Sequence, residues 1–232
     1  MPIQIIEAQR LYRQIADQLR DLIRSEEFKP GSKLPTERQL ASQLGVSRPS
    51  VREALIALEV EGWVEVCKGS GVYVCERGAE HGVAPDALAD VHGPLELLRA
   101  RAVIEGEIAA LAARVVKTWQ LAQLEEALEM MRDTVSAGGV PIEGDRIFHL
   151  RLATIAGNSA LTTVVALLFD QRYSPISAKL GQHLENGRSW NAAIEEHRRV
   201  VEALAMKDPD AARAAMQRHM DRAHRRFSKR LD

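Results

Sequence analysis

Residues 34–74 have the sequence LPTERQLASQLGVSRPSVREALIALEVEGWVEVCKGSGVYV. Thr36 and Gln39 have the spacing of a capping box, in which two side chains satisfy backbone N–H groups at the start of a helix. Gly45 suits the left-handed position that ends a helix. Ser47 is a residue type that caps helix N-termini, and a second apolar-periodic run follows it. The stretch therefore predicts two short helices joined by a tight turn.

A β-hairpin is predicted directly after the helix pair. Residues 63–66 and 71–74 are short β-forming runs, and the four residues between them include Gly69. Upstream, the apolar spacing over residues 11–23 predicts an amphipathic helix. The element order is therefore helix, helix–turn–helix and β-hairpin, which predicts a winged helix–turn–helix domain over residues 1–76.

The charge distribution of this segment indicates DNA binding. The second helix of a helix–turn–helix presents its N-terminal residues to the major groove. Arg48 and Arg52 are four residues apart and share one helical face, and arginine pairs well with guanine. Residues 29–53 hold five basic and two acidic side chains. Residues 1–76 as a whole hold ten basic and eleven acidic side chains, so the basic charge is concentrated in the helix–turn–helix. The competing interpretation is a helix pair that contacts protein, with the arginines as a solvated face.

This N-terminal segment resembles the GntR superfamily of bacterial regulators. The resemblance covers residues 12–74 and rests on the elements LPTER, VSRPSVREAL and GWVEV…GSGVYV. It implies a dimer that reads a palindromic operator in double-stranded DNA, and repression is the commoner mode of action in that family. By this resemblance the DNA-contacting residues are Arg38, Arg48, Arg52, Lys68 and Gly69, with Ser47 and Ser50 supporting them at phosphate.

The rest of the chain is predicted to be almost wholly helical. Residues 77–93 contain four Gly or Pro and predict a linker. From residue 94 to residue 232 a 3.6-residue period recurs, with one long span that Pro175 would end or kink. The predicted fold class is mainly α: an N-terminal winged helix–turn–helix, then a C-terminal all-helical antiparallel bundle of six to seven helices. The helical periods cover residues 95–116, 118–137, 144–156, 159–184, 189–206 and 209–229.

The composition excludes several classes of protein. The 232 residues carry 31 Lys and Arg against 32 Asp and Glu, so a globally basic nucleic-acid coat is excluded. Two cysteines exclude a disulfide scaffold and favour a reducing cytosol. No run of about 18 apolar residues and no secretory signal is visible, so a cytoplasmic protein that does not engage a membrane is expected.

The helical region contains a candidate metal site. Asp145 and His149 are four residues apart, so on a helix they point the same way. His197 and His219 stand on later predicted helices. Carboxylate and imidazole suit Zn²⁺, Ni²⁺ or Mn²⁺, and positions would remain open for a ligand oxygen. The alternative from spacing alone is a set of scattered helix histidines without a metal.

Residues 94–229 resemble the helical effector domain of the FadR subfamily, known as the FCD type. The pattern is matched by Arg101-x3-Glu105, by Asp145-x3-His149 and by Gly157-Asn158. The resemblance implies a bound divalent transition metal, with Zn²⁺ ahead of Ni²⁺ or Mn²⁺, and an effector domain that supplies the contacts of a homodimer. The implied metal ligands are Asp145, His149, His197 and His219.

Arg101 is predicted to help bind a small carboxylate effector. With a cation beside a guanidinium, one carboxylate oxygen can go to each. The alternative for Arg101 is a salt bridge to Glu105, and both can hold together. Asn158 is a candidate ligand contact or a C-cap residue that ends a helix. Residues 93–101 further resemble the regulators of hexuronate and related sugar-acid catabolism.

Three functional alternatives stay open at this point. Regulators of lactate, pyruvate, citrate or amino-acid pathways share the same implied metal set. The metal itself is a second candidate for the signal. A metal-dependent enzyme is the third, and against it no general base or nucleophile stands beside the proposed ligands. An enzyme would also leave residues 11–74 unexplained, so the expectation is a regulator without catalytic activity.

Overall fold

The computed structural model describes residues 10–76, 83 and 91–228. The chain forms two compact units. The first contains the described residues up to Pro94 together with Ser174–His183, and the second contains Leu95–Tyr173 and the described residues from Leu184 onward. Among the residues that the structure describes, no helix combines the length and apolarity that crossing a bilayer would need.

The first unit is a winged helix–turn–helix, as predicted. The capping box at Thr36 and Gln39 is formed, Gly45 adopts a left-handed φ of 66°, and the Ser47 side chain accepts from the backbone N–H of Ser50. The two strands pair antiparallel, with Val64 opposite Val74. The elements are α1 (Leu11–Arg24), α2 (Glu37–Leu44), α3 (Arg48–Val60), β1 (Val64–Cys67) and β2 (Gly71–Val74).

A buried ion cluster joins α1 to the residue after α3. Glu61 is fully buried and accepts from Arg13 and from Arg20, each at 2.7 Å. Both arginines are less than 10% exposed, so all three charges are removed from water together. A buried acid of this kind is tolerated only with full pairing, and here two guanidinium groups supply it.

The remaining helices follow the predicted periods, and the predicted break at Pro175 is confirmed. The span 159–184 is divided into α7, a 3-10 turn at Gln171–Tyr173 and α8. Pro175 is the first residue of α8, where a missing N–H is harmless, so the helix before it ends and a new one begins. The helices are α4 (Pro94–Val115), α5 (Thr118–Ser136), α6 (Ile142–Ile155), α7 (Ser159–Asp170), α8 (Pro175–Leu184), α9 (Gly187–Ala205) and α10 (Pro209–Phe227).

The residues Ser174–His183 of α8 belong to the first unit. Glu59, on the last turn of α3, accepts from His183 Nε2 at 2.7 Å and lies 3.6 Å from Lys179 Nζ. The same carboxylate accepts the backbone N–H of Val66 on β1 at 3.1 Å. One acidic side chain therefore connects α8, α3 and the hairpin.

The core of the second unit sets the position of α6. Leu128 and Met131 of α5 and Phe148 and Leu152 of α6 are fully buried. A Cβ on Gly144 would come within 2.7 Å of Met131 Cγ, so glycine permits the close approach of these two helices. This packing fixes the face of α6 that carries Asp145 and His149.

Candidate metal centre and nucleic-acid interface

The predicted DNA-contacting residues of the first unit are mostly exposed. Arg38, Arg48 and Ser47 are exposed at the starts of α2 and α3. The hydroxyl groups of Ser47 and Ser50 lie 2.8 Å apart, so Ser50 is engaged with the helix cap. Lys68 and Gly69 are exposed at the hairpin tip, where Gly69 has a left-handed φ of 74° and Lys68 Nζ donates to the Gln182 carbonyl at 3.5 Å.

Arg52 departs from the prediction that it shares an exposed face with Arg48. Its side chain is 2% exposed, and its Nε and Nη2 donate to the two oxygens of Glu37 at 2.8 and 2.6 Å. This bidentate pair joins α3 to the first turn of α2. The sequence prediction considered Arg52 only as a DNA contact. It missed the pairing of Arg52 with Glu37, which lies 15 residues earlier in the chain.

The structure brings the four predicted metal ligands together. Asp145 and His149 come from α6, His197 from α9 and His219 from α10, and all four are buried. One donor atom of each lies within 4.8 Å of the others. His197 Nε2 lies 3.1 Å from His149 Nε2 and 3.3 Å from Asp145 Oδ1, which is 3.6 Å from His149 Nε2.

These distances suit a shared cation. Two donor atoms about 2.1 Å from one ion, at angles of about 90–110°, lie roughly 3.0–3.4 Å apart. Asp145 Oδ1 is buried and finds no hydrogen-bond partner among the described residues. One carboxylate and three imidazoles form a donor set for Zn²⁺, Ni²⁺ or Mn²⁺. The cluster therefore fits a divalent transition metal.

The local electrostatics favour the protonation states that metal binding needs. Burial opposes ionisation of Asp145, but His149, His197 and Arg172 hold the pKa of its carboxyl well below the ordinary value. Burial lowers the pKa of His197 and of His219. A carboxylate beside neutral imidazoles is the ligating state. His149 differs, since Glu105 outweighs burial and raises its pKa.

Two buried glutamates contact the Nδ1 atoms of His219 and His149, whereas Nδ1 of His197 has no hydrogen-bond partner among the described residues. Glu196 accepts from His219 Nδ1 at 3.0 Å, and Glu105 contacts His149 Nδ1. Nδ1 of these two rings is therefore engaged, which leaves Nε2 for the metal. Arg101 donates from Nε to Glu105 at 2.6 Å, and Arg226 donates to Glu196 at 2.7 and 3.0 Å.

Sequence reasoning missed these positioning roles. Glu105 was considered only as the partner of Arg101, and Glu196 was not considered. Burial opposes ionisation of Glu105, but Arg101 and His149 lower the pKa of its carboxyl to about 2. The sequence carries no local signal for either role, because Glu196 lies 23 residues from His219 and Glu105 lies 44 residues from His149.

A cavity that is partly open to solvent adjoins the candidate metal centre within the second unit. Arg101 lies in its wall, 5% exposed, and both predicted roles are compatible with the geometry. Nε of Arg101 is paired with Glu105, whereas its buried Nη2 has no partner among the described residues. The polar and charged residues of the wall are Arg101, Asp145, Arg172, Glu185, Ser189, Trp190, His219 and Arg226.

The structure places Asn158 at a helix cap, away from the lining of this cavity. Its side-chain oxygen accepts from the backbone N–H groups of Ala160 and Leu161 at 3.1 and 3.3 Å, and the residue is exposed. The expected C-cap is corrected, since Asn158 precedes a helix and does not end one, whereas its candidate role as a ligand contact stays a prediction. Asn158 begins α7, because its short polar side chain satisfies the free donors of the first turn.

Comparison with known proteins gives two family matches. The protein-family model described as "Bacterial regulatory proteins, gntR family" matches residues 11–74. The model described as "FCD domain" matches residues 96–222, which is more than half of the chain.

Similar proteins span nearly the same length. The Exu regulon transcriptional regulator of Escherichia coli (strain K12) is 38% identical over 94% of this chain and 85% of its own length. The Uxu operon transcriptional regulator of the same strain is 36% identical over 95% of this chain and 88% of its own length. Among solved structures, Streptococcus agalactiae GntR has a TM-score of 0.50 at 30% identity, covering 92% of this chain and 99% of that one.

Proposed function

This chain belongs to the gntR family of bacterial regulatory proteins and carries an FCD domain, and from that premise we propose that a small carboxylate controls its binding to DNA. It is a DNA-binding transcription regulator, and its relatives are regulators and not enzymes. The proposed effector is a sugar acid such as a hexuronate, bound beside a divalent metal. The proposed mode of action is repression that the effector relieves.

The observation that carries this proposal is the buried cluster beside an unpartnered guanidinium N–H. Asp145, His149, His197 and His219 would hold the ion, with Zn²⁺ ahead of Ni²⁺ or Mn²⁺, and a bound ion supplies Lewis-acid coordination of an anionic oxygen. Arg101 Nη2 would donate to the second oxygen of the same carboxylate. Arg101 is already oriented for this by its bond to Glu105.

The hexuronate assignment rests on resemblance. Residues 93–101 resemble the regulators of hexuronate catabolism, and two relatives are named for the Exu regulon and the Uxu operon. Lactate, pyruvate, citrate and amino acids are the competing effectors. The metal as the signal is a further alternative, which predicts that DNA affinity follows metal occupancy without any acid.

For the DNA side, we assign the contacts to the exposed members of the predicted set. Arg38 and Arg48 would reach bases or phosphates, Ser47 would support them at phosphate, and Lys68 with Gly69 would contact the duplex from the hairpin tip. Arg52 would orient α3 through Glu37. A homodimer would read a palindromic operator. Exposed apolar side chains on α4 support a dimer contact between two such helical domains, since Val103, Leu111 and Val115 are 67%, 42% and 55% exposed.

Helix α8 belongs to the first unit, and the residues on either side of it in the chain line the cavity of the second unit. Arg172, before α8, and Glu185, after it, both lie in the cavity wall. Between them, His183 and Lys179 contact Glu59 of the recognition helix α3. Effector binding that moves either flank would therefore change the restraint on α3. A hundredfold change in operator affinity needs about 2.7 kcal/mol of such coupling.

Thermal unfolding with small carboxylates tests the proposed site. D-galacturonate, D-glucuronate, lactate, pyruvate and citrate are each added to the purified protein as isolated, after chelation, and with Zn²⁺ restored. The proposal expects an acid-induced rise in the unfolding temperature that chelation abolishes and Zn²⁺ restores. A metal-dependent stability to which no acid adds anything would favour a structural or signalling metal instead.

A further inference from the structure

We propose that a basic face on the last turns of α10 is a second contact for duplex DNA, outside the winged helix–turn–helix. Arg218, Arg222 and Arg225 of α10 and Arg99 of α4 form this α10 basic face, and all four are exposed. The face would bind phosphates of the DNA that flanks the operator. The inference goes beyond the proposed function, because it needs neither the effector nor the metal.

The three arginines of α10 share one side of the helix. They are four and three residues apart, which is the spacing of neighbours on a helical surface. The rise of 1.5 Å per residue places Arg218 and Arg225 about 10 Å apart along the helix. The opposite side packs into the second unit, and its buried residues are Ala212, Ala215, Met216, His219, Met220, Ala223 and Phe227. The charges are therefore gathered on the solvent side of α10.

Arg99 extends the face across to α4. A Cβ on Gly106 would come within 2.9 Å of Gln217 Cγ, so α4 and α10 pack side by side. Burial lowers the pKa of the His224 imidazole, and the positive charge of Arg99 lowers it further. Since Arg99 precedes Gly106 whereas His224 follows Gln217, the two helices are antiparallel, and Arg99 lies beside the last turns of α10.

Acidic side chains do not neutralise this face. In the part of the chain that the structure describes, no carboxylate forms an ion pair with Arg99, Arg218 or Arg225. Asp221 and Glu96 are the exposed acids nearest to these arginines in the sequence. Together with Arg222, four positive charges therefore stand against two negative ones.

Arg222 is only weakly compensated. Its Nη1 lies 3.7 Å from Glu196 Oε1, while the same carboxylate already accepts from Arg226 at 2.7 and 3.0 Å. The surface arginine Arg198, by contrast, donates to Glu195 at 2.6 Å. The side chain of Arg222 is 46% exposed, so its guanidinium is available to a further anion.

The helix dipole explains only part of this charge. Cations are favourable within the last turn of a helix, near its negative end. Arg225 lies in the last turn of α10, whereas Arg218 and Arg222 lie before it. A stabilising role at the helix end therefore leaves two of the three arginines unexplained.

A DNA backbone matches the face in charge and in donor geometry. The planar guanidinium presents its donors in a fork that fits phosphate oxygens. Duplex DNA carries about one negative charge per 1.7 Å of its axis, so about 10 Å of duplex presents roughly six charges. The chain is a DNA-binding regulator, which brings this polyanion to the protein. Phosphate contacts carry no base information, so the face would add affinity without sequence preference.

The face lies at the end of the second unit where the chain enters it. The N-terminal part of the first unit ends at Pro94, the first residue of α4, and Arg99 is five residues further along the same helix. Five residues of α-helix span about 7.5 Å. DNA held by the first unit is therefore tethered to this end of the second unit, which raises its effective concentration there.

The salt dependence of operator binding tests the contact. Fluorescence anisotropy with the full-length protein compares the wild type with Arg218→Gln/Arg222→Gln/Arg225→Gln, on an operator selected from random duplexes, between about 50 and 200 mM KCl. Each lost phosphate contact reduces the slope of log K against log [KCl] by about 0.9. We expect the slope to fall in magnitude by about 2–3 and the base preference to stay unchanged. The same slope in both proteins would overturn the inference.

A matched control removes three charges from paired arginines elsewhere on the second unit. Arg132→Gln/Arg198→Gln/Arg199→Gln makes the same change of net charge, at side chains that lie within ion-pair distance of Glu129 or Glu195. It should leave the slope unchanged, because these guanidinium groups are already compensated. An equal fall in both triple variants would assign the effect to net charge and would contradict a local contact.

Arg222 lies close to Glu196, so a second variant leaves it in place. Arg218→Gln/Arg225→Gln should reduce the slope by about 2, and an unchanged slope in this folded variant would also overturn the inference. Lengthening the operator by one helical turn, about ten base pairs, at each end should raise the affinity of the wild type about tenfold and that of the double variant about threefold or less. A wild-type protein that gains nothing from the longer duplex would refute contact with flanking DNA.

Discussion

Two glutamates link the metal ligands to the arginines of the cavity. Glu105 contacts His149 and binds Arg101, and Glu196 binds His219 and Arg226. A carboxylate behind a ligating imidazole fixes its ring orientation and tautomer. Each glutamate therefore orders one candidate metal ligand and one arginine of the cavity wall at the same time.

Glu196→Gln should weaken Zn²⁺ binding about 10- to 100-fold, because an amide holds the His219 Nδ1–H less strongly than a carboxylate. Competition with a chromophoric chelator measures the dissociation constant. Glu195→Gln is the matched control, since Glu195 is the neighbouring residue on α9, is 44% exposed in its side chain and pairs with Arg198. Equal Zn²⁺ affinities in the two variants would refute the positioning role of Glu196.

Tyr12 makes the stability of the first unit sensitive to alkaline pH. Its hydroxyl donates to the Val91 carbonyl at 2.7 Å, and burial raises the pKa of Tyr12 to about 12 from 10.0. Between pH 10 and pH 12, Tyr12 has lost its phenolic proton in the unfolded chain and keeps it in the folded chain. The free energy of unfolding should therefore fall as pH rises from 10 to 12, by up to about 2–3 kcal/mol from this residue. Urea unfolding at pH 9 and pH 11.5 should show a smaller fall in Tyr12→Phe, and equal falls would speak against this source.

At the scale of elements, the recognition helix α3 combines an exposed arginine with a buried one. Arg48 stands exposed in its first turn, whereas Arg52 is paired with Glu37 on α2. Helical spacing alone cannot distinguish them, because both lie on the same side of α3 and only the packing of α2 separates their surroundings. The two arginines should therefore respond differently to the same substitution.

Arg48→Ala should reduce operator affinity by about 1–3 kcal/mol and relax base preference at one position, since a bidentate contact to guanine is lost. Arg52→Ala should instead lower the free energy of unfolding by about 3–5 kcal/mol, because it leaves Glu37 buried without its charge partner. Fluorescence anisotropy with operator DNA and urea unfolding separate the two effects. Arg24→Ala, exposed on α1, serves as the control. A purely destabilising Arg48→Ala, with base preference intact, would argue against its role in reading DNA.

The elements that local chemistry determines were predictable from the sequence. Thr36 and Gly45 mark the ends of α2 through bonds that span three or four residues, and both predictions are confirmed. The predicted interruption at Pro175 is also confirmed, and Pro175 is the first residue of the helix that follows the break. The long-range pairs were not predictable: Glu37 with Arg52 and Glu196 with His219 are separated by 15 and 23 residues, and no local period records such contacts.

At the scale of the whole molecule, the two compact units do not follow the order of the sequence. Residues 174–183 belong to the first unit, although in the chain they lie between the two segments of the second. Residues 174–183 fall within the range that the FCD model matches, yet they pack with the N-terminal unit through Glu59. Arg172 and Glu185 flank this segment and line the cavity of the second unit. The chain therefore enters and leaves α8 at residues of the cavity wall, which is the arrangement that the proposed coupling through α8 requires.

Operator affinity measured with and without effector tests the control of DNA binding most directly. The protein, loaded with Zn²⁺, is titrated by fluorescence anisotropy onto an operator that it selects from random duplexes, with and without saturating D-galacturonate. We expect the effector to weaken operator binding about 100-fold, which corresponds to about 2.7 kcal/mol, and chelation to abolish this response. Operator affinity that is the same with and without D-galacturonate, while the acid binds the protein, would contradict control of DNA binding from this cavity.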